Sequence, residues 1–423
     1  MLKDIRAHTV EELESQFRGW GQPAYRVKQL LEWLYVHRVS KWEAMTNLPR
    51  RLREELRQHY SLTSLELVRK QGAPDTTEKF LWRLSDGALI ESVLIPANPA
   101  LYGEPSDRHT LCVSTQVGCA YGCKFCASGL AGWKRHLRVE EIVEQLLAVE
   151  RWNAGAGREA RGEGRGVEVQ SLESGVPSQG LGREELEDGV RDPATRIANC
   201  QSSISDQAAN APRPSTLTPP PRLVSNLVIM GMGEPLANYE NLLKALKILN
   251  APWGGGIGAR KITISTSGLA PQIRKLADEP FQFRLAVSLH GATDATRNKI
   301  MPVNRKYPLG ELMAACEYYE RKKGRMMTFE YVLIAGVNDG LDQVKPLAGL
   351  ARRLNAKVNL IPYNRVEGLA WEQPSDAAQE AFVKALVKQK VSATLRREKG
   401  GDIDAACGQL RLKTERELVG TAS

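Results

Sequence analysis

Three cysteines stand close together in the sequence, at Cys119, Cys123 and Cys126. Three thiolates on one short loop can converge on one metal centre, as the ligation of iron–sulfur clusters requires. Zinc normally takes a fourth cysteine or histidine nearby, and His136 follows only after a glycine-containing loop. The C-x3-C-x2-C spacing therefore predicts an iron–sulfur cluster that leaves one iron open to an outside ligand.

Polar residues also follow several other predicted strands. The segment 231–235, with the sequence GMGEP, places Glu234 beside the backbone of Gly233, an arrangement that suits an ammonium group. The third, fourth and sixth predicted strands end in a similar way, at Ser265, at Ser288, Leu289 and His290, and at Asn364. One such residue alone is more often a cap or a core polar group. Together they predict a ligand site shared with the cysteine loop.

Short β-rich runs alternate with helices from about residue 108 onward. The predicted strands cover residues 110–117, 223–230, 261–267, 284–290, 328–334 and 357–362. The predicted helices cover residues 139–152, 239–249, 271–278, 310–322, 341–354 and 377–388. Six repeats of strand and helix predict an α/β fold with a parallel sheet, either doubly wound or a full or partial barrel. Both place ligands at the carboxyl ends of the strands, where the chemical motifs fall.

The remaining segments suggest a helical domain, a connection and a tail around this α/β core. We predict a helical N-terminal domain that binds RNA over residues 1–75 and a β-hairpin connection over residues 76–107. The core covers residues 108–398, and the C-terminal tail covers residues 399–423. Within the core, residues 154–223 contain no aromatic side chain but nine Gly and seven Pro. Such a segment buries too little apolar surface to offset its ordering entropy, so we predict a disordered insertion there.

Composition narrows the class of protein further. The 423 residues carry a formal net charge of +9, which favours a polyanionic partner such as RNA or DNA. The sequence contains no apolar stretch of about 18 residues, the length that a membrane-spanning helix requires. The N-terminus carries no apolar run typical of a signal peptide. An odd number of cysteines, seven, argues against a disulfide framework. We therefore expect a cytoplasmic protein.

The cysteine triplet resembles the signature of the radical S-adenosylmethionine (SAM) superfamily, in which three cysteines hold a [4Fe–4S] cluster and SAM chelates the fourth iron. More of the chain resembles one subfamily, the adenine-C2 RNA methyltransferases of RlmN type with their Cfr-type relatives, which methylate adenine C8. The segments that carry this likeness are residues 91–96, 110–119, 231–235, 300–304 and 402–410, with Arg297, Glu330 and Tyr331. The sequence departs from the pattern at residues 399–402, KGGD, where the family usually has RGDD.

The resemblance implies a partial (β/α)6 barrel and a mechanism with two special cysteines. One SAM methylates Cys407, and a radical generated from a second SAM takes a hydrogen atom from this S-methyl group. The resulting carbon radical adds to C2 of an adenine and forms a covalent protein–RNA adduct. Cys112 then attacks the sulfur of Cys407, which releases the methylated base and leaves a transient disulfide. Glu91 matches the proton acceptor proposed for the family, and the alternative is an exposed strand carboxylate.

The resemblance also implies substrates and partners. The substrates would be adenine in 23S rRNA and the adenine next to the anticodon in tRNA. A one-electron reductant such as flavodoxin or ferredoxin would supply electrons. The enzyme would be a monomer. SAM would be held by Gly233, Glu234, Ser265, Ser288, Leu289, His290 and Asn364. Three alternatives remain open at this point: adenine-C8 methylation, another radical SAM class such as a glycyl-radical activase, and a non-enzymatic RNA-binding module.

The cysteine triplet gives a direct test. Replacing Cys119, Cys123 or Cys126 by Ala should remove the brown colour of the reconstituted protein and abolish SAM cleavage, because each thiolate holds one iron of the cluster. Iron analysis and the visible spectrum measure the outcome. A triple variant that kept its full iron content would show that the cluster is held elsewhere.

Overall fold

A computed structural model of the chain describes residues 2–72, 77–97, 108–130, 132–159, 221–396 and 408–420. The chain divides into two units, Met1–Ala154 with Pro220–Ser423, and Gly155–Pro219. Most of the second unit lies outside the described residues, and so does most of the predicted disordered insertion, residues 154–223. Disorder is the wrong prediction for residues 154–159, because they belong to a helix that ends at Glu159. No helix in the described ranges has the length and apolar character that crossing a membrane requires.

The N-terminal region is helical, as its periodicity predicts. It contains the strands β1 (Lys3–Asp4) and β2 (Tyr60–Ser61) and the helices α1 (Val10–Gly19), α2 (Tyr25–Leu31) and α3 (Arg50–His59). Helix α1 begins with a capping box, because Thr9 and Glu12 exchange backbone-to-side-chain hydrogen bonds of 2.8 and 3.4 Å. The apolar faces of these helices, including Leu13, Phe17 and Leu56, are buried in the main hydrophobic core.

One ten-stranded sheet organises the rest of the first unit, in the order β14-β13-β12-β11-β10-β9-β6-β5-β4-β3. From β6 to β14 all neighbours are parallel, and β3 to β6 pair antiparallel. The strands are β3 (Glu66–Gln71), β4 (Glu78–Arg83), β5 (Leu89–Pro96), β6 (His109–Cys112), β9 (Val224–Ile229), β10 (Ile262–Thr266), β11 (Arg284–Ser288), β12 (Thr328–Leu333), β13 (Lys357–Pro362) and β14 (Ala393–Leu395). The predicted hairpin and six core strands are present, whereas β3 and β14 were not predicted.

The predicted first strand, residues 110–117, is wrong in one respect. Strand β6 ends at Cys112, and a separate strand β7 (Gln116–Gly118) pairs antiparallel with β8 (Trp133–His136). The Gln145 side chain explains the break. Its Oε1 accepts from the Ser114 amide at 2.8 Å and its Nε2 donates to the Ser114 carbonyl at 3.0 Å, which satisfies both groups without a neighbouring strand. The chain is thereby redirected into the cysteine loop.

Helices cover the parallel strands in the alternation expected of an α/β fold. They are α4 (Ala127–Leu130), α5 (Val139–Glu159), α6 (Tyr239–Asn250), α7 (Ala270–Asp278), α8 (Asp294–Ile300), α9 (Leu309–Lys323), α10 (Val344–Arg353), α11 (Asp376–Lys388) and α12 (Gln409–Gly420). Helix α5 runs seven residues past its predicted end at residue 152, into the start of the predicted insertion. The C-terminal tail carries α12, and residues 397–407 lie outside the described residues.

Buried ion pairs join the N-terminal helices to α5. The Arg6 guanidinium pairs with Glu144 and with Asp4, and Glu144 also accepts from Arg151. Burial alone would lower the pKa of Arg6, but Glu144 and Asp4 raise it above its ordinary value. Nearly two turns further along α5, Glu150 pairs with Arg38 at 3.4 Å. These contacts fix the N-terminal domain against the first helix of the core.

Removing the shared carboxylate should therefore destabilise the fold. The variant Glu144→Ala leaves the Arg6 charge buried without this partner, and we expect a loss of about 3–5 kcal/mol in the free energy of unfolding. Chemical denaturation measures the change. Glu54→Ala, which breaks an exposed pair with Arg50, is the control and should cost less than about 1 kcal/mol. Equal effects of the two variants would contradict a structural role for the buried network.

Candidate active site

The cysteine loop is held by backbone contacts at both of its ends. At its start, Gly118 has φ +79°, and a Cβ there would overlap the carbonyl of Gly132. The Cys119 amide donates to that same carbonyl at 3.2 Å, and the Lys124 amide donates to the carbonyl of Ile300 at 2.9 Å. The loop is thus fixed to α8, which follows the fourth parallel strand of the barrel, β11.

The three cysteine thiols form one electrostatic group. Burial is the main reason that the pKa of Cys119 is raised to about 12, with further contributions from Cys126 and Glu234. Burial and the other two cysteines also raise the pKa of Cys123 well above its ordinary value. Three thiolates in this environment need compensating positive charge, which iron supplies.

The Gly-x-Gly segment presents a buried carboxylate beside this group. Gly233 has φ +102°, and a Cβ there would lie 2.5 Å from the Gln116 Cβ. The Glu234 carboxylate accepts from the Ser267 amide at 2.6 Å and from the Leu236 amide at 3.1 Å. Burial raises the pKa of Glu234 above its ordinary value, and these hydrogen bonds act in the opposite direction. Glu234 therefore joins the ends of β9 and β10 next to the cysteine loop.

The remaining predicted SAM-binding residues meet at the same edge of the sheet. The hydroxyl oxygens of Ser265 and Ser288 lie 3.4 Å apart across β10 and β11. His290 has φ +52°, its Nδ1 accepts from the Val332 amide at 3.0 Å, and its ring contacts Phe125 edge-on in the cysteine loop. Burial, with a smaller effect of Arg297, lowers the pKa of His290 to about 3, so the imidazole is neutral.

Leu289 and Asn364 differ in which of their atoms face the predicted SAM site. The Leu289 side chain is fully buried, and its carbonyl accepts from Arg297 Nε at 3.0 Å, so only its backbone faces the polar residues. Asn364 is partly buried and directly follows Tyr363. Burial is the main cause that raises the pKa of Tyr363, a backbone hydrogen bond with Val366 acts in the opposite direction, and Cys126 adds a smaller increase. The buried Tyr363 side chain thus lies near the cysteine loop.

Sequence reasoning assigned no role to Arg297, which the structure places at the centre of this edge. Its guanidinium donates to the carbonyls of Ser267 and Leu289 and to the Asn304 Oδ1. It therefore holds the chain segments that follow β10 and β11 in a fixed relation. The sequence shows Arg297 only as one of the residues that resemble the family, and nothing in the sequence indicates that its side chain is buried.

Glu91 and Cys112 lie on one face of the sheet. Cys112 is paired with Val93 across β6 and β5, and Glu91 is two positions before Val93 on the same strand. Residues two apart on a strand share a face, as do directly paired residues. The alternative reading of Glu91 as an exposed carboxylate is wrong, because it is only 2% exposed. Its Oε2 accepts from the Gly408 amide at 2.8 Å. Cys407 itself lies outside the described residues.

Comparisons with known proteins agree with this geometry. A family model described as "Ribosomal RNA large subunit methyltransferase N-terminal domain" matches residues 4–62, and one for the radical SAM superfamily matches residues 222–345. The chain is 48% identical to the "Probable dual-specificity RNA methyltransferase RlmN 3" of Opitutus terrae, over 98% of this chain and 95% of the relative. This chain belongs to the RlmN family of radical SAM RNA methyltransferases. Radical SAM enzymes of this family use a [4Fe–4S] cluster and SAM, and RNA is their substrate.

Further RlmN relatives and a solved structure extend the likeness over the whole chain. The dual-specificity RNA methyltransferase RlmN of Anaeromyxobacter dehalogenans is 41% identical over 96% of this chain and 91% of its own length. The crystal structure of a radical SAM methyltransferase from Sphaerobacter thermophilus is 38% identical, covers 96% of this chain and 98% of that one, and superposes with a TM-score of 0.75. The partial-barrel fold expected from the sequence is thereby confirmed.

Gly233 offers a test of the SAM site in this RlmN-family chain. In the variant Gly233→Ala the new Cβ meets Gln116 and displaces Glu234, so SAM affinity should fall at least about tenfold, or about 1.4 kcal/mol. Calorimetric titration of anaerobically reconstituted protein measures this affinity. Gly87→Ala is the control, because Gly87 also has a positive φ but no atom lies within 4 Å of its Cβ position. Unchanged SAM binding by a folded Gly233→Ala protein would remove this segment from the site.

Proposed function

We propose that this enzyme methylates C2 of adenine in 23S rRNA and of the adenine next to the anticodon in tRNA, with Cys407 as the methyl carrier. One observation supports the carrier most directly. Gly408, the residue bonded to position 407, donates its amide to Glu91, and Glu91 shares a sheet face with Cys112. Two segments more than 300 residues apart in the sequence therefore approach each other beside the cysteine loop.

The proposed roles follow from this arrangement. Cys119, Cys123 and Cys126 hold the cluster, and Gly233, Glu234, Ser265, Ser288, Leu289, His290 and Asn364 hold SAM. Bound together, the cluster and SAM supply the one-electron chemistry that activates a methyl group. The Cys407 thiolate accepts the methyl group as a nucleophile, and Cys112 later attacks the Cys407 sulfur to release the product. The disulfide between them is transient, and Glu91 accepts the proton from the adenine.

The substrate assignment rests on the relatives and on the N-terminal domain. The curated relatives carry "dual-specificity RNA methyltransferase" in their names. Residues 1–70 carry 13 Lys and Arg against 9 Asp and Glu, a surplus that favours contact with RNA phosphates. We further expect a monomer in the cytoplasm that receives electrons from flavodoxin or ferredoxin. Adenine-C8 methylation would use the same cysteines, and nucleoside mass spectrometry separates the two products.

The two cysteines should fail in different ways. Cys407→Ala should retain the cluster and SAM binding but give neither methylated RNA nor a covalent adduct, because the carrier sulfur is absent. Cys112→Ala should attack the base and then stall, so it should carry covalently bound RNA that survives denaturation and shortens with ribonuclease. Gel electrophoresis and mass spectrometry detect the adduct.

Cys200→Ala is the matched control and should turn over at the unmodified rate, since Cys200 carries none of the proposed groups. Normal turnover by Cys112→Ala, or the same adduct on both cysteine variants, would contradict these roles.

A further inference from the structure

Glu91 is a buried carboxylate that holds the C-terminal segment. Its Oε2 accepts from the Gly408 amide at 2.8 Å, and its Oε1 accepts from the Arg411 amide at 2.7 Å. These amides belong to the first turn of α12, where backbone N–H groups have no partner within the helix. The Glu91 carboxylate on strand β5 thus caps α12, although it lies more than 300 residues away in the sequence. Its negative charge complements the positive end of the helix dipole.

Lys79 lies directly behind this cap. Its Nζ is 3.3 Å from the Glu91 Oε2, across the antiparallel pair β4 and β5, and the Lys79 side chain is only 1% exposed. Burying a carboxylate costs several kcal/mol unless a positive charge and hydrogen bonds compensate it. The Lys79 ammonium supplies that charge, while the backbone amides of the tail supply the hydrogen bonds. Hydrogen bonds to an ionised acceptor are about twice as strong as neutral ones, so this charge strengthens the cap.

The other contacts of α12 are made by its side chains, and they include ion pairs of Glu415 with Lys134 and of Glu417 with Arg69. Leu410 packs against Leu81 and Leu89 in a small apolar cluster, and apolar packing of this kind tolerates sliding along the sheet. The Arg411 guanidinium is fully buried, forms a 3.5 Å ion pair with Glu415, and has no hydrogen-bond partner within the described ranges. Its side chain adds little directional hold. At the start of α12 the backbone amides of Gly408 and Arg411 donate to Glu91, and the Gln409 side chain adds a 2.6 Å hydrogen bond from its Nε2 to the Arg365 carbonyl.

Close packing around Gly408 restricts the position of the first turn of α12. It has φ +87°, and a Cβ there would lie 2.9 Å from the Ser128 backbone nitrogen and 3.0 Å from the Ser128 Cα. Ser128 belongs to α4, directly after the cysteine loop. The segment therefore approaches the cysteine loop as closely as a glycine permits, while its amide points at Glu91.

We propose that Lys79 is a positioning residue that, through Glu91, fixes the first turn of α12 and so sets where Cys407 stands relative to Cys112. This inference rests on the proposed carrier role of Cys407. It also gives Glu91 a second duty beside proton transfer, because both of its oxygens are engaged by the tail before RNA binds.

The test measures proximity without activity. The full-length protein is treated with a mild thiol oxidant, and peptide mapping by mass spectrometry follows the rate of the Cys112–Cys407 disulfide. Each thiol loses a proton and the pair gives two electrons to the oxidant. In Lys79→Met and in Glu91→Gln the rate should fall about tenfold or more, whereas Lys79→Arg, which keeps the charge, should recover most of it.

Lys70→Met is the matched control. Lys70 pairs with Glu78 at 2.5 Å on the neighbouring strands β3 and β4, and this pair does not touch α12, so the disulfide should form at the unmodified rate. Thermal unfolding of each variant checks the fold. Gly408→Ala acts from the tail side and leaves the buried pair intact, so it tests the same docking even if Lys79→Met does not fold, and it should slow the disulfide similarly.

The outcomes separate this inference from the proposed function. Disulfide formation at the unmodified rate in Lys79→Met or in Gly408→Ala overturns the positioning role, even if the enzyme still makes 2-methyladenosine. Absence of the disulfide in the unaltered protein overturns the placement of Cys407 beside Cys112. A slowed disulfide in the variants, with no 2-methyladenosine made by the unaltered holoenzyme, supports the positioning role and rejects the proposed reaction.

Discussion

The parallel hydrogen-bond ladder from β6 to β14 is the constraint on which the site depends. Parallel strands all end at the same edge of the sheet, so residues that lie far apart in the sequence meet there. The contact between the Ser265 and Ser288 hydroxyls is a direct result of the register of β10 and β11. The cysteine loop reaches this edge because the chain leaves the ladder after Cys112.

Buried carboxylates join the elements that the ladder brings together. Glu234 accepts backbone amides after β9 and β10, and Glu150 of α5 accepts the amides of Leu223 and Val224 where β9 begins. Glu91 does the same for the first turn of α12. In each case a carboxylate satisfies N–H groups that would otherwise be buried without partners. Removing one of these carboxylates would therefore leave buried N–H groups without their partner.

Local patterns in the sequence were enough to predict the core strands, six of the core helices and the cysteine loop, whereas α4, α8 and α12 were not predicted. Period-two and helical spacing report on burial within one element, so the alternation of six strands and helices was readable. The break after Cys112 was not, because it depends on Gln145 more than 30 residues later. The cap on Gly408 was equally hidden, since it joins residues 91 and 408 through the tertiary fold. Arg297 and Lys79 have charged side chains, which the sequence alone places at the surface rather than in the interior.

The central claim is that the methyl group reaches adenine C2 through a cysteine and loses one hydrogen on the way. The most direct measurement uses SAM with a fully deuterated methyl group, the anaerobically reconstituted enzyme and an rRNA fragment, followed by mass spectrometry of the nucleosides. The account predicts 2-methyladenosine that retains two of the three deuterium atoms in its new methyl group. Retention of all three deuterium atoms, or methylation at C8, would contradict it.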